Sequence, residues 1–392
     1  MVVLQYRRAA ALEQRIWGVS FNNLLEVTLR SLGLGLLGGA VASLILVIIG
    51  VSLSESGIEF LLPLALLLYA VNPRLMCFSY AGGIISLLHL ITGFPNVNVA
   101  EIMALVAILH VTESLLIWVS GERCASPIYT RNAAGKLVGG FSLQSFWPVP
   151  LVALFMLTVS DPNKLEGLIQ MPDWWPMIRG AIQDPSKAVF AMVPITAALG
   201  YSDLAITMVP AQKVRRTSAA LAVYSISLLG LSLLAMKHVF FEWLAALFGP
   251  AGHEIVATLG GRNELSGEPL FVSPERGVKV LGVVPGSQAE VMRIRPGDVI
   301  LEVNGCSVNS RAELMEAFAN SGWFLELKMV GVRGNPKNIE FRRPMQDDLG
   351  VITVPETGDP CLVELGPRKN FEWFRRVAVR IGGWLRRISG RD

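Results

Sequence analysis

Charge is scarce in this sequence. Only 17% of its 392 residues are charged, against about 25% in an ordinary soluble chain, and 52% are hydrophobic. A chain of that balance keeps most of its length in a membrane. Histidine is sparse too: His89, His110, His238 and His253 are the four, and no two of them are four residues apart. The HExxH pairing that puts two zinc ligands on one helix face is therefore missing. His253-Glu254 runs into Ile255, Val256 and Ala257, and no His follows Glu113 to complete an inverted motif with His110. Cys77, Cys124, Cys306 and Cys361 form no CxxC and no Cys/His cluster along the chain. They read as unpaired thiols, which favours a reducing location for the C-terminal half. There is no GxSxG or GNSGG nucleophile turn, no Walker loop and no Rossmann glycine pattern. These absences argue against a protease or a nucleotide enzyme, and the expectation is no cofactor, no metal and no nucleic-acid partner.

What is abundant is apolar sequence in lengths suited to a bilayer, which takes about 20 residues per helical span. Residues 32–53, 58–71, 75–94, 99–119, 142–159, 188–208 and 218–235 qualify, with Asn72-Pro73-Arg74 as a turn inside a helical hairpin. The first span begins beyond Arg7, Arg8 and Arg15, too far in for a cleaved signal, and is read as retained. Residues 238–248, apolar but short, read as a re-entrant or interfacial helix, or as the return leg of a broken pair with residues 218–235. The expectation is a polytopic helical domain over residues 29–249 with about seven to eight segments, after a cytoplasmic segment 1–28. Lys and Arg in loops 121–140 and 211–217 place those loops with the N-terminus on the cytoplasmic side. Trp174, Trp175, Met177 and Ile178 then read as an interfacial segment outside. Within the spans Glu101, His110 and Glu113 are costly to hold in lipid. They form either a polar site for a proton, ion or partner, with His110 bonded to Glu113, or a clasp between helices.

The composition changes after Gly249-Pro250. Beyond a connector, 250–268, the stretch GVKVLGVVPGSQAEVMRIRPGDVILEVNG, residues 277–305, strings together strand, turn, short helix, strand and turn. Its PGSxAE segment, PGDVI step and VNG turn resemble a bacterial PDZ domain, here assigned to residues 269–345. The resemblance implies that a peptide adds as a strand to an exposed sheet edge beside a helix. The expected edge is Leu270, Phe271 and Val272, and the expected helix, 311–319, offers Arg311 and Met315, although Phe271 and Met315 read equally well as core. Gly297 is expected to allow a tight turn and Asp298 to cap neighbouring amides. Met292-Arg293-Ile294 departs from the usual Ala-Gly-Leu, which leaves the groove geometry open.

After a linker, 346–367, residues 368–392 hold eight Arg or Lys and two acids. Trp373, Arg375, Arg376, Arg380, Trp384, Arg386 and Arg387 belong to a segment with apolar residues at helical spacing. It reads as a basic amphipathic helix on anionic lipid, or as a disordered basic tail, and its charge favours a cytoplasmic C-terminus. The fold class is thus an α-helical polytopic membrane domain, a small α+β PDZ-like domain and a basic amphipathic C-terminal helix.

The runs LMCFSYAGGIISL, GKLVGGFSLQSFWPVPL, GYSDLAIT and FGPAGHEIV resemble the MinJ-type membrane proteins of Gram-positive bacteria over most of residues 30–345. That resemblance implies a cell-division scaffold at septum and poles, with a cytoplasmic PDZ domain linking the polar protein DivIVA to the MinCD inhibitor through MinD. The leading reading is a non-enzymatic membrane scaffold. The alternatives are a PDZ adaptor or inactive relative in a membrane proteolysis system, and a small-solute transporter using His110 and Glu113.

Overall fold

A computed structural model describes residues 2–54, 56–160, 167–179, 187–342 and 349–363. The chain divides into two compact units: residues 1–126, 141–268 and 284–286 form one, and 127–140, 269–283 and 287–392 the other. The tail residues Trp373, Arg375, Arg376, Arg380, Trp384, Arg386 and Arg387 lie outside the described residues.

The first unit is built of helices α1 (Val2–Trp17), α2 (Leu24–Ile49), α3 (Ile58–Val71), α4 (Phe78–Thr92), α5 (Val99–Ser120), α6 (Pro210–Ala235) and α7 (Val239–Ser266). Three of them, α2, α5 and α6, are long and apolar enough to cross a membrane, while α3 and α4 are shorter apolar helices. The helical hairpin expected around Asn72 is present, joined by a 3-10 turn at Pro73–Met76. α5 is the hub: Ala100, Ile102, Met103, Ala104, Val106, Ala107 and Ile108 are buried on all sides. α2 is two-faced. Leu25, Leu29, Leu36, Leu37 and Leu44 are exposed as a lipid-facing side would be, whereas Gly35, Gly38, Gly39 and Ala42 are buried.

Two expected spans are corrected. Residues 142–159 and 188–208 are not helices but most of β2 (Leu137–Thr158) and β3 (Ala188–Ala205), paired antiparallel from Phe141↔Ala205 to Thr158↔Ala188. Together with β1 (Ala125–Arg131) they make a three-stranded sheet. Hydropathy alone does not separate a buried strand from a helix. Proline does: Pro148 and Pro150 would each break a helix interior, but in a strand, residues two apart aim their missing N–H at the same edge. That edge faces α2. Along it the Phe146 N–H donates to the Tyr6 hydroxyl (3.0 Å), Val152 N–H to Ser43 Oγ (2.7 Å) and Met156 N–H to Ser54 Oγ (2.8 Å). Between them, at Pro148 and Pro150, no donor exists and the α2 backbone comes closest. A Cβ on Gly35 would lie 1.9 Å from the Pro148 carbonyl oxygen, and one on Gly39 would lie 1.8 Å from that of Pro150. Serine and tyrosine thus partner the Phe146, Val152 and Met156 amides, proline removes two more, and Leu154 takes an isolated bridge to Ser52, in keeping with an apolar surrounding.

Two further expectations change. Residues 238–248 are no short re-entrant piece; they open the 28-residue α7, which runs through Pro250 and most of the expected connector. Lys213 belongs to α6 and is not in a charged surface loop. It is buried, 3.3 Å from Asp203 and 3.6 Å from Glu264, and donates to the Gly260 carbonyl. Glu264 also accepts the Ile206 and Thr207 amides, so this buried charge group is hydrogen-bonded on several sides. The Trp175 region closes the end of α2: Trp175 Nε1 donates to Val47 O (2.7 Å) and the Met177 amide to Ile49 O (2.8 Å). Carbonyls at a helix C-terminus otherwise lack partners.

The second unit contains β4 (Val278–Val283), α8 (Gln288–Val291), β5 (Val299–Val303), β6 (Cys306–Ser307), α9 (Arg311–Ala319), β7 (Phe324–Val330), β8 (Pro336–Arg342) and β9 (Val351–Thr353). The sheet order is β8-β7-β5-β4-β9, with β6 beside β5. Val280, Ala289, Ile300, Leu314, Phe318, Leu325 and Leu327 fill its core. Gly297 has φ +90° as its turn needs, and a Cβ there would meet Val332 at 2.5 Å. Asp298 accepts the Arg295 amide and the Lys337 ammonium. Arg293, in the place where glycine is usual, adopts φ 57° and so keeps the left-handed turn, at a cost of about 1 kcal/mol.

Candidate peptide-docking groove

The sheet of the second unit ends at β9, and this corrects two expectations. Leu270, Phe271 and Val272 do not form the edge strand: Phe271 is buried and forms an isolated bridge to Gly139, outside the named strands. The residues that do, in the run Leu349-Gly350-Val351-Ile352-Thr353-Val354, fall inside the expected linker. Gly350 has φ +76° and turns the chain into the strand. The Leu349 carbonyl is held by the Ala289 amide (3.0 Å), and the Val354 amide donates to Lys279 O (3.0 Å).

Backbone accounting identifies the side of β9 that β4 does not pair. Thr353 is opposite Val280. Val280 N–H donates to Asp298 O and Val280 O accepts from Gly297 N–H. Thr353 must therefore turn its own N–H and C=O away from β4, toward the outer side of the sheet, which is where an added strand would bond.

That side is met by the start of α9. Ser310 caps the helix, its Oγ accepting the Glu313 amide, and Arg311, the first helical residue, reaches β9 with Nε donating to Thr353 Oγ1 (2.9 Å). The Arg311 guanidinium also pairs with Asp359 (2.6 Å) while its amide donates to Glu356 (2.6 Å). A third group enters from β1. The Tyr129 hydroxyl donates to the Thr353 carbonyl (2.8 Å), and Arg311 donates to that hydroxyl (3.2 Å). The Leu362 and Val363 amides in turn bond to Tyr129 O. One turn along α9, Met315 is 59% exposed.

The electrostatics favour a stable clamp. Burial pushes the Tyr129 phenol above its ordinary value, so it remains a neutral donor. Burial alone would raise the Asp359 carboxyl too, but hydrogen bonds from Arg311 and the Glu356 amide prevail and hold it below the usual range.

Of the expected groove residues, the structure brings Arg311 to β9, leaves Met315 on the open helix face and moves Leu270, Phe271 and Val272 out of the edge. Tyr129, Thr353, Glu356 and Asp359 were not anticipated. Leu-Gly followed by Val-Ile-Thr-Val carried the signal of a turn into a strand.

The intramembrane polar residues also rearrange. Glu101 is buried in the first turn of α5, where Asn98 caps its amide. His110 is not bonded to Glu113: its Nδ1 faces Val106 O (2.7 Å) and its Nε2 faces Cys77 Sγ (3.1 Å). His253 joins these two, giving a Cys77, His110 and His253 group whose ligand atoms all lie within 4.8 Å of one another. This is the one cluster among the described residues with ligands for a metal.

Residues 255–325 match the family model of the PDZ domain. Over 236 residues the chain is 23% identical to the cell division topological determinant MinJ of Bacillus subtilis (strain 168), covering 58% of this chain and 54% of that protein. The chain thus spans about half the length of the curated relative it matches. With three candidate membrane spans beside the PDZ match, this relatedness supports a MinJ-type membrane protein that carries a PDZ domain.

Proposed function

We propose that this protein is a non-enzymatic membrane scaffold that recruits partner proteins through the groove between β9 and α9, in the placement of the cell-division site. The observation that carries the reading is that β9 ends the sheet with the Thr353 backbone groups turned outward beside α9. Relatedness to a protein named as a cell division topological determinant supports the division setting; the septum and poles, and partners such as DivIVA and MinD, are what the resemblance of the sequence motifs implies. The excess of Arg and Lys in residues 368–392 supports a cytoplasmic PDZ unit and attachment of the tail to anionic lipid.

In this reading an incoming strand takes the Thr353 carbonyl from the Tyr129 hydroxyl, exchanging one hydrogen bond for another, and lays an apolar side chain against Met315. The Arg311–Asp359 pair keeps the helix start in register with the strand while this happens. An array of C-terminal peptides, probed with the full chain in detergent, tests the docking step. A subset of peptides is expected to bind wild type and to be lost in Met315→Glu, which changes an exposed residue and leaves the core intact. Binding unaffected by that substitution would place recognition elsewhere.

A further inference from the structure

We infer that Cys77, His110 and His253 form a site for a zinc ion within the helical unit. The three side chains come from separate elements: Cys77 is the N-cap of α4, His110 lies midway along α5, and His253 lies in α7 just past Pro250. Their ligand atoms all fall within 4.8 Å of one another, with Cys77 Sγ and His110 Nε2 at 3.1 Å. Tetrahedral zinc with a thiolate at ~2.3 Å and imidazoles at ~2.0 Å has ligand-to-ligand edges of about 3.3 to 3.6 Å. Closing on an ion thus needs movements of well under a side-chain length.

The surroundings of the two imidazoles are those of metal ligands. A ligating His donates its other ring N–H to a carbonyl or carboxylate, which fixes its tautomer. His110 Nδ1 is 2.7 Å from the Val106 carbonyl, so it carries the proton and Nε2 presents a lone pair toward Cys77. The ring of His253 is held on its Nδ1 side by the Tyr80 hydroxyl (3.4 Å), and that hydroxyl donates to Glu254. A chain of carboxylate, phenol and imidazole therefore orients the second ring, which meets the first at a centroid distance of 5.2 Å. A hydrogen bond between Cys77 and His110 would account for that pair alone. It gives no reason for a second, separately buttressed imidazole to converge on the same point.

The backbone is shaped to bring the ligands together. The Tyr224 hydroxyl bridges the Ser79 hydroxyl of α4 (2.7 Å) and the Gly249 carbonyl of α7 (2.9 Å). A Cβ on Gly83 would lie 2.5 Å from Pro250 Cδ, so α4 and α7 reach this closeness only with glycine there. Three ligands are one short of a closed structural zinc site. The fourth position falls to water. Thiolate with imidazole selects borderline-soft cations over magnesium or calcium, and binding displaces the thiol proton to solvent.

The test uses the full chain purified in detergent without added metal, with elemental analysis and titration by Co²⁺ as a probe of thiolate coordination. Wild type is expected to hold about one zinc per chain, and Cys77→Ser and His253→Gln about a tenth of that or less. Cys124→Ser, away from the site, should keep it. After chelation, wild type should regain zinc, and Co²⁺ should give a sulfur-to-metal charge-transfer band that Cys77→Ser lacks. Where a variant does not fold, the chelated wild type decides. Failure to rebind zinc with no charge-transfer band, copper in place of zinc, or unchanged metal in a folded Cys77→Ser would each overturn the assignment.

Discussion

The edge of β2 that faces α2 and the outer edge of β9 both carry backbone groups with no full strand beside them, and they are satisfied by different means. Along β2 the closure is built in: Tyr6, Ser43 and Ser54 accept three amides, Pro148 and Pro150 remove two more where Gly35 and Gly39 come closest, and Leu154 bridges to Ser52. At β9 a single phenol, Tyr129, caps the Thr353 carbonyl, and it lies beside a bidentate Arg311–Asp359 pair on a helix start. An edge that must never open has its donors removed or matched along its length. The β9 edge is held at Thr353 by one exchangeable hydrogen bond.

Four substitutions sharpen that contrast. Gly39→Ala drives a Cβ into the Pro150 carbonyl at 1.8 Å, where neither backbone can give way. Stability should fall by about 3 kcal/mol or more, read as a lowered thermal transition in detergent, with little change in peptide binding once folded. Ser43→Ala leaves the Val152 amide without its acceptor, and the same assay should register a loss of about 1 to 3 kcal/mol. Tyr129→Phe acts in the opposite sense. It frees the Thr353 carbonyl, so peptide affinity should rise about five-fold, equivalent to about 1 kcal/mol; unchanged or weaker binding would mean that Tyr129 is a structural pin like Ser43.

The smallest effect belongs to Asp359→Asn, because its pair with Arg311 is partly exposed; the expected cost is below about 1 kcal/mol. Its pH signature is more telling. The folded Asp359 carboxyl titrates below its ordinary value, so its contribution is complete above about pH 3.9 and is lost as the pH falls through the lowered value. Hydrogen exchange at the Glu356 amide, which donates to Asp359, should accelerate over that acid range, beyond intrinsic chemistry, in wild type and not in Asp359→Asn.

Legibility in the sequence follows the range of the interaction. β4, α8, β5 and α9 were readable because turn residues at fixed offsets, Gly297, Asp298, Asn304 and Gly305, are local signals. The helical reading of β2 and β3 failed because both are as apolar as a span. The contrary signal was proline at Pro148, Pro150 and Pro194, positions that fall on the outward-facing steps of the ladder. β9 was missed because three residues are too few for periodicity to register. The Cys77, His110 and His253 group has no sequence spacing to detect, since it exists only once α4, α5 and α7 have packed. Yet the runs that held Cys77 and His253, LMCFSYAGGIISL and FGPAGHEIV, were already conspicuous without any chemistry to explain them.

The groove account is tested most directly by where the protein goes in growing cells. A fluorescent fusion of the full chain, imaged as wild type and as Met315→Glu, gives the ratio of septal to lateral membrane signal. The account predicts septal and polar enrichment for wild type and a uniform membrane signal for Met315→Glu at equal abundance. Equal septal enrichment of the two would contradict it.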